Sequence, residues 1–467
     1  MVHLLNLPDE ILLLILSNFS GLYVFKSELQ ALCLVSKRLR SIAQPFLYTQ
    51  FVREVHCQCC HENGAPPGRI VPLVLFTRTI ISRPDLAARV QIAKFDLSMD
   101  EFDDEDVREA ELDAASFRVL SDGFAKLPAL GRSSLFMEAT AMYSNPYLLV
   151  LAAHMPNLQN LQLTIGEEGL DVSGIEQPYL RNLKSVVIKD LAHTECDTMP
   201  CLDYVLGLPQ LENFTLINLN GEAEGCPLFK VVPNSLNVSS ISLLEACIDA
   251  ENLENIIEGC KCLKEFNYRG RNYYGNSIEY SCQFEPSELL PILSSQKDNL
   301  HTIRCNLNWD EVHPTSWKKG PKYGSFAPFT QLRHLAVDQY PYIPDQEIPA
   351  SLHCLTIANI SFPILDIIGS LNMRTIDMPH FNMHNILPNF EFLTLIPRDD
   401  TPNGMLEVED KFGWLEIYEN QEIADEFDFA CETLWDIVKE CDFGVNVLHE
   451  VWERFYASRW GGFLLKN

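Results

Sequence analysis

The sequence predicts an α/β protein with three short N-terminal helices, a repeat array that builds a curved parallel sheet, and a helical C-terminal cap. Three observations lead to this prediction. Apolar residues near the N-terminus recur at helical spacing, and a short apolar pattern recurs between residues 90 and 398. Trp residues and helical spacing then mark the last segment. At 467 residues, the chain is long enough for two or three domains or one elongated array.

The charge balance narrows the classes of partner. The formal net charge is -29, from 64 acidic residues against 35 Lys and Arg. A surface this acidic repels a phosphate backbone, so we expect no nucleic-acid partner. The same acidity is compatible with a basic protein target, although a well-solvated acidic surface is the simpler explanation for most of these charges.

The N-terminus does not have the pattern of a secretion signal. No basic segment precedes the apolar run, and Pro8, Asp9 and Glu10 stand in front of it. The run from Ile11 to Leu16 is too short to span a bilayer, so we expect no membrane association. The 15 cysteines are odd in number and lack a repeating framework, which indicates reduced thiols and a cytoplasmic or nuclear location.

The first 50 residues predict three short helices. Pro8 suits the first turn of a helix, and Ser27 and Ser36 are candidate N-caps for the second and third helices, the third of which should end at Pro45. The apolar positions at helical spacing are Ile11, Leu12, Ile15, Leu16, Phe19, Leu29, Leu32, Val35, Leu39 and Ile42. About forty residues seldom form a sufficient core alone. The surplus apolar surface therefore predicts a binding partner or packing onto the following domain.

This segment, 1–50, resembles an F-box. The family pattern is Leu-Pro-x-Glu, an Ile/Leu-rich helix, and then Leu-x-x-Leu-x-x-Val-Ser-Lys/Arg-x-x-Arg. It is matched by Leu7, Pro8, Glu10, Ile11, Ile15, Leu16, Leu32, Val35, Ser36, Lys37 and Leu39, the last standing where many members have Trp. The resemblance implies docking on the Skp adaptor of cullin-based SCF ubiquitin ligases. The adaptor-binding residues that it implies are Leu7, Pro8, Ile11, Ile15, Leu16, Leu32, Val35 and Leu39. The alternative is a helical hairpin packed on its own chain.

Residues 51–89 predict a linker or helical connection with a Cys-rich stretch. The sequence HCQCCH at 56–61 is the only dense set of metal-type side chains. Zinc sites usually pair two such clusters, and the next cysteines, Cys196 and Cys201, are distant in sequence. We therefore expect no bound metal. A metal- or thiol-dependent enzyme built on Cys57, Cys59, Cys60 and His61 is the alternative.

Residues 90–398 repeat the pattern Leu-x-x-Leu-x-Leu, which is typical of leucine-rich repeats. It starts at Ile92, Leu158, Leu183, Leu211, Val238, Leu263, Leu300, Leu332, Leu352, Met373 and Phe390. Each repeat would supply one short parallel strand and a return segment, and the stack would form a solenoid. We expect inward positions at Leu161, Phe214, Ile241, Leu335 and Leu355, and exposed positions at Gln159, Arg333 and His353. An α/β domain with strands at chance spacing is the alternative.

The repeats depart from the regular pattern. The Asn or Cys expected three residues after Leu-x-Leu is clear only at Asn308, so we expect no regular side-chain ladder in the loops. The solenoid should therefore be irregular, similar to the repeats of F-box proteins of fungal type. Pro156, Pro209 and Pro388 each stand two residues before a repeat and would set its entry loop.

Two further segments adjoin the strands of the array. The segment from Asp96 to Asp113 holds ten acidic residues and one Arg, which predicts a solvated loop and helix start, or a docking site for a basic peptide. Residues 399–467 predict a helical cap, which a solenoid end requires. This prediction depends on Trp414, Trp435, Trp452 and Trp460 and on the spacing of Phe427, Leu434, Ile437 and Val438.

The sequence has no motif that indicates catalysis. It lacks phosphate-binding Gly-rich loops, a Gly-x-Ser-x-Gly elbow and a His-Glu-x-x-His pair, so we expect neither enzymatic activity nor a cofactor. The leading hypothesis is a substrate-recognition subunit of an SCF-type ligase, which binds the Skp adaptor, through it cullin, and a protein target. The alternative is a scaffold that uses its F-box without cullin. Candidate target-binding segments are 269–276 and 317–324.

Overall fold

The computed structural model describes much of the chain between residues 7 and 447. The described residues are 7–17, 26–52, 71–96, 118–119, 122, 151, 153–165, 179–190, 201–219, 229–270, 284–307, 321–338, 348–360, 389, 391–397, 405–409, 415–419 and 444–447. Several sequence predictions lie outside them. These are the set Cys57, Cys59, Cys60 and His61, the acidic segment after Asp96, the repeat at Met373, Asn308, and the four C-terminal Trp residues.

The N-terminal segment forms three helices around a small core. Helices α1 (Asp9–Ser17) and α2 (Lys26–Val35) both pack on α3 (Lys37–Leu47). The core consists of Leu12, Leu16, Leu29, Leu39, Ile42 and Ala43, with Leu7, Leu32, Cys33, Phe46 and Leu47 partly buried at its edge. These positions are three or four residues apart within each helix, so one stripe of each helix faces the core.

Helix α3 continues past the residue predicted to end it. Pro45 lies inside the helix, which runs to Leu47, and the Tyr48 N–H donates to the carbonyl groups of Pro45 and Phe46. A proline interrupts a helix because it lacks an N–H and crowds the preceding turn. In the last turn of a helix, few residues remain for Pro45 to disrupt. The helix therefore ends two residues later than predicted, at Leu47.

The chain divides into two compact units, 1–218 with 223–238 and 219–222 with 239–467. In the first unit, parallel strands pair in chain order. They are β1 (Gln50–Val52), β2 (Ile92–Asp96), β3 (Asn160–Ile165), β4 (Ser185–Asp190) and β5 (Asn213–Ile217). Helices α4 (Val71–Ser82) and α5 (Pro84–Ala87) precede β2, and α6 (Cys201–Leu206) precedes β5.

The sheet begins earlier than the repeat pattern predicted. Gln50 pairs with Ile92, so β1 adds a strand where the sequence predicts a domain boundary and a linker. The first repeat is also shifted by two residues. Ile92 is opposite Asn160, and the buried positions are therefore Val90, Ala93 and Phe95. The predicted Ile92-Phe95-Leu97 register was wrong because Ile92 was assigned to the first slot of the pattern, which Val90 occupies.

In the second unit, parallel strands again pair in chain order. They are β6 (Ser240–Ala246), β7 (Glu265–Gly270), β8 (Thr302–Asn306), β9 (His334–Asp338), β10 (Cys354–Ile360) and β11 (Phe392–Pro397). Helix α7 (Ala250–Gly259) connects β6 to β7. Helix α8 (Pro286–Leu293) and a 3₁₀ turn (Ser294–Gln296) precede β8. Within the described ranges, every helix is too short or too polar to cross a membrane.

The described residues of 399–467 are strands, which corrects the prediction of a wholly helical cap. Strands β12 (Met405–Glu409) and β13 (Leu415–Glu419) form an antiparallel pair, and β14 (Gly444–Val447) pairs with β11 in parallel. Apolar and acidic residues alternate from Leu406 to Glu409 and from Leu415 to Ile417, which is the period of a strand. The positions from Phe427 to Val438 that suggested a helix lie outside the described residues.

The apolar pattern predicts strand positions well. In the repeats from Leu158 to Leu352 whose strands are described, the strand begins two residues after the first apolar position. The inward positions are confirmed, because Leu161, Phe214, Ile241, Leu335 and Leu355 are all buried. Opposite residues on adjacent strands share the same slot, as Ile303 does with Leu335. Alternate side chains of each strand therefore form a continuous apolar layer within each unit.

Asn side chains form an interrupted ladder between repeats, at a position other than that of Asn308. Asn residues directly before the first apolar position of a repeat donate to a backbone carbonyl of the preceding repeat. The donor–acceptor pairs are Asn157 to Ala88, Asn182 to Pro156, Asn237 to Pro209 and Asn389 to Ala350, at 2.8, 2.8, 2.9 and 3.2 Å. Among the described repeats these bonds occur at only four, and the predicted position at Asn308 lies outside the described residues. Each Asn amide satisfies a carbonyl group at a turn where the backbone offers no donor.

We expect Asn182→Ala to lower the free energy of unfolding by about 1 kcal/mol, since the Pro156 carbonyl loses its donor. Urea unfolding, followed by hydrogen exchange of β3 and β4, measures this change. Arg181→Ala is the matched control, because Arg181 is the exposed neighbouring residue and should cost less than about 0.5 kcal/mol. Equal effects of the two substitutions would contradict a stabilising role for the ladder.

Candidate functional site

Arg38 on α3 holds the start of α1. Its Nη2 atom donates to the Leu7 carbonyl and to Asp9 Oδ1, both at 2.6 Å, and its Nε donates to the same carboxylate oxygen at 2.8 Å. The Arg38 and Asp9 side chains are both partly exposed, so solvent weakens the ion pair. The contacts nevertheless set where α1 begins relative to α3.

Two further residues of the Val-Ser-Lys-Arg-Leu-Arg segment shape the corner between α2 and α3. Ser36 Oγ accepts the Leu39 N–H at 3.1 Å and caps α3, and Arg40 Nε donates to the Cys33 carbonyl at 3.0 Å near the end of α2. Burial raises the pKa of the Cys33 thiol, and nearby Arg40 opposes this shift. Cys33 is therefore a neutral thiol at pH 7 and packs as a small apolar side chain.

Helix α1 has apolar residues on the side that faces away from the core. Leu12 and Leu16 point into the core, and Leu14 lies about 180° from their midpoint around the helix. Leu14 is 63% exposed, and Ile11 and Leu13 on either side of it are also exposed. A helix that is apolar all round is normally buried on all sides. The outward side of α1 is thus suited to contact another protein.

Helix α2 also has apolar residues that face away from the core. Leu34 is 79% exposed, and Val35 is also exposed, whereas Leu29, Leu32 and Cys33 face the core. Among the described residues, large exposed hydrophobic side chains concentrate on these two helices, and the others are Leu75 and Val232. We call Ile11, Leu13, Leu14, Leu34 and Val35 the exposed apolar set. Its concentration in one small helical segment marks a candidate binding surface.

The predicted adaptor-binding residues divide into four groups by exposure. Pro8, Ile11 and Val35 are exposed, and Ile15 is half-buried. Leu7 and Leu32 pack against the edge of the helical core, while Leu16 and Leu39 lie inside it at 3% and 1% exposure. Leu13, Leu14 and Leu34 are exposed as well, and the family pattern does not indicate them. The signal available for them was the unbroken run ILLLIL, which exceeds what one buried face requires.

Comparison with known families agrees with this geometry. Residues 4–54 match the F-box-like family, so the chain contains an F-box-like domain at its N-terminal end. This domain includes α1, α2, α3 and β1. No curated protein matches the chain in sequence. The helical segment and its exposed apolar set therefore belong to a domain type that typically binds Skp adaptors.

The candidate target-binding segments are described only in part. Of residues 269–276, the structure describes Arg269 and Gly270. Arg269 forms an ion pair with Glu245 at 2.5 Å. Gly270, at the end of β7, lies against the backbone of Leu307, which follows β8. A Cβ atom on Gly270 would lie 2.8 Å from the Leu307 carbonyl oxygen, which is closer than side chains tolerate. Within the described ranges, no group of His, Cys, Asp or Glu is arranged to hold a metal ion.

We expect Arg38→Gln to weaken adaptor binding several-fold and to lower stability by less than about 1 kcal/mol. The substitution frees the Leu7 carbonyl and Asp9, and the start of α1 then samples more positions. Binding is measured by calorimetry with purified Skp adaptor. Lys37→Gln removes the same charge from the adjacent exposed position and should leave affinity unchanged. Equal losses in both variants would indicate an effect of net charge alone.

Proposed function

We propose that the protein is a substrate-recognition subunit of an SCF-type ubiquitin ligase. Its F-box-like domain would bind the Skp adaptor and, through it, cullin, while the strand-bearing remainder would hold a protein target. The observation that supports this most directly is the exposed apolar set on α1 and α2, inside the F-box-like residues 4–54. In water these side chains cost free energy that burial against a partner recovers, at about 25 cal/mol per Å².

In this proposal the protein has no catalytic residues. It raises the concentration of a target lysine near a ubiquitin that a separate conjugating enzyme carries, so its contribution to the reaction is proximity and orientation. The contacts of Arg38 with the start of α1 and the packing of α1 and α2 on α3 support such a role, because a subunit that positions a target needs a defined geometry.

We further propose that the parallel strands of each unit are irregular leucine-rich repeats of the fungal F-box type. The strands begin at a constant offset from the first apolar residue, the slots align across strands, and the Asn ladder connects successive turns. These features fit a stack in which each repeat buries its apolar face only against its neighbours. The irregular spacing of the sequence pattern fits return segments of unequal length.

A cytoplasmic or nuclear location forms part of the same proposal. It is supported by the odd number of cysteines, 15, spread over the sequence without the spacing of a disulfide framework. A ligase subunit also has to meet its adaptor and cullin in the compartment where these proteins act. Fractionation of cells that express the tagged full chain, with the adaptor detected in the same fraction, tests this part independently.

Reconstitution with purified partners tests the proposed function. The full chain is mixed with Skp adaptor and then with cullin, and the complexes are separated by size-exclusion chromatography. A ternary complex is the expected result. A binary complex with the adaptor that excludes cullin would favour the scaffold alternative, in which the F-box-like domain acts without a ligase. Absence of any complex with the adaptor would overturn the proposal.

A further inference from the structure

Four basic or histidine side chains stand side by side before the strands of the second unit. The His301 N–H donates to the Lys264 carbonyl, the Arg333 N–H to the His301 carbonyl, and the His353 N–H to the Arg333 carbonyl, each at 2.8 Å. This ladder places the four residues at the same level of adjacent strands β7 to β10. Neighbouring strands are about 4.8 Å apart, so the four residues follow one another within about 15 Å.

Two residues on the strands add to this line. Arg304 on β8 and His334 on β9 are exposed and alternate with buried Ile303 and Leu335. Because His334 is opposite Thr302, Arg304 lies two residues further along the neighbouring strand. We call these six residues the basic row: Lys264, His301, Arg304, Arg333, His334 and His353.

The basic row does not follow from the composition of the chain, whose formal net charge is -29. In the first unit the same ladder of backbone bonds connects three uncharged residues, one Lys and one Glu. In strand order they are Thr49, Gln91, Gln159, Lys184 and Glu212. The concentration of Lys, Arg and His side chains is therefore a property of β7 to β10 and not of this ladder position in general.

Acidic side chains stand at the two ends of the basic row. Glu265 is next to Lys264 on β7, and Glu391 before β11 has its Oε1 atom 3.0 Å from His353 Nδ1. Among the described residues, neither Arg304 nor Arg333 has a carboxylate within ion-pair distance. The middle of the row is thus positively charged without a compensating anion in the described part of the chain.

The electrostatics of His334 agree with this arrangement. Partial burial lowers the pKa of His334, and Arg304 on β8, His353 before β10 and adjacent Arg333 lower it further, while Glu391 opposes them. A histidine whose neighbours disfavour its charged form reports a positive local potential. A bound anion would reverse this effect and raise the pKa of His334.

We propose that the basic row docks an anionic peptide segment of the protein target, held through its carboxylate or phosphate groups. This inference rests on the proposed function, since the peptide would belong to the protein that the ligase subunit recognises. Arg304 and Arg333 supply planar guanidinium groups, which bind such anions through paired hydrogen bonds. An extended peptide running across the strands would meet Lys264, Arg304 and Arg333 on successive strands, in steps of about 4.8 Å.

The proposed occupant differs from the basic target that the net charge suggested. Long-range repulsion between this chain and an acidic protein is screened beyond about 8 Å at physiological salt. Local contacts with Arg304 and Arg333 then decide the binding, and they should weaken as salt rises. The rest of the strongly acidic chain disfavours contacts with an acidic segment. Such a segment therefore binds at the basic row and not elsewhere on the chain.

The experiment measures fluorescence polarisation of labelled ten-residue peptides with the full chain, at low and at physiological salt. One peptide has Glu at alternate positions, a second has phosphoserine at two of them, and a third has Gln in place of every Glu. We expect the Glu or the phosphoserine peptide to bind at least tenfold more tightly than the Gln peptide. The stronger of the two identifies carboxylate or phosphate as the preferred anion.

The variant Arg304→Glu with Arg333→Glu should lose at least tenfold in affinity for that peptide. The matched control is Arg181→Glu with Lys184→Glu, which changes the net charge equally at exposed positions of the first unit and should bind normally. Equal binding by both variants, or no preference over the Gln peptide, would overturn the proposal. Tighter binding of a single-stranded oligonucleotide would overturn it in favour of nucleic acid.

Competition for the basic row by the chain's own acidic segment is tested separately. The acidic residues at 100–106 are changed to Asn and Gln. If the peptide binds only to this variant, the basic row binds the chain's own acidic segment, and the proposal for a target is wrong. Skp adaptor binding is measured in parallel for every variant. An intact adaptor complex without peptide binding refutes only the basic row, whereas loss of the adaptor complex in the unaltered chain refutes the proposed function.

Discussion

Leu14→Asp should weaken binding of the Skp adaptor about 100-fold or more and leave the fold intact. Leu14 is 63% exposed on the side of α1 opposite the core, so an aspartate at this position remains hydrated in the free protein. In the complex the same carboxylate would be buried without a partner, at a cost of several kcal/mol. A loss of about 3 kcal/mol corresponds to about 100-fold in affinity. Calorimetry with purified adaptor measures it, and circular dichroism checks the helices.

Two controls separate a binding effect from an unspecific one. Val232→Asp places the same charge on a 69% exposed apolar residue outside residues 4–54 and should not change adaptor affinity. Leu12→Asp affects the buried side of α1 and should unfold the helical core, with loss of binding as a consequence. Unchanged affinity of Leu14→Asp would show that the adaptor uses another surface, and the exposed apolar set would lose its assignment.

Leu32, which the sequence pattern suggested as a contact, is less suitable for this test. It packs against the edge of the helical core together with Cys33, so a charge at Leu32 would disturb folding and binding at once. Ile11 is exposed and can be combined with Leu14, since the two residues are one turn apart on α1. The pair should give a larger loss than Leu14→Asp alone.

The strand positions could be predicted from the sequence because each strand buries alternate residues in the apolar layer, and this alternation is visible in the local pattern. The spacing of Leu211 and Phe214, for example, is enough to place β5. The strand β1 could not be found this way. It has three residues, and only its pairing with β2 far along the chain distinguishes Phe51 from any other buried aromatic residue. Long-range pairing of this kind is not visible in local periodicity.

The candidate site was predictable as a segment, whereas its exposed residues were not. In the run from Ile11 to Leu16 every residue is Ile or Leu, so periodicity cannot show which side faces α3. The answer depends on how α1 packs, which Arg38 fixes from 29 residues away. The basic row required the same kind of information. Lys264, Arg304 and His353 are seen to belong to one row only when the register of β7 to β10 is known.

Phe266→Ala should lower the free energy of unfolding of the second unit by about 3–5 kcal/mol. The Phe266 ring on β7 is fully buried, and its neighbours in register, Ile241 on β6 and Ile303 on β8, are fully buried as well. Removing the ring leaves a cavity that these rigid strands cannot close, so the lost contacts add to the lost transfer free energy. Hydrogen exchange of the amides in β6 to β8 under mild urea measures the change within this unit.

Asn267→Ala is the matched control, because Asn267 follows Phe266 on the same strand and points to the opposite side of the sheet. It should cost less than about 0.5 kcal/mol. The difference between the two neighbours tests the alternation on which the strand assignments and the position of the basic row both depend. If Asn267→Ala destabilised β6 to β8 as much as Phe266→Ala, the register of β7 would be wrong by one residue. Arg304, which is opposite Asn267 on β8, would then face the buried layer, and the basic row would lose a central cation.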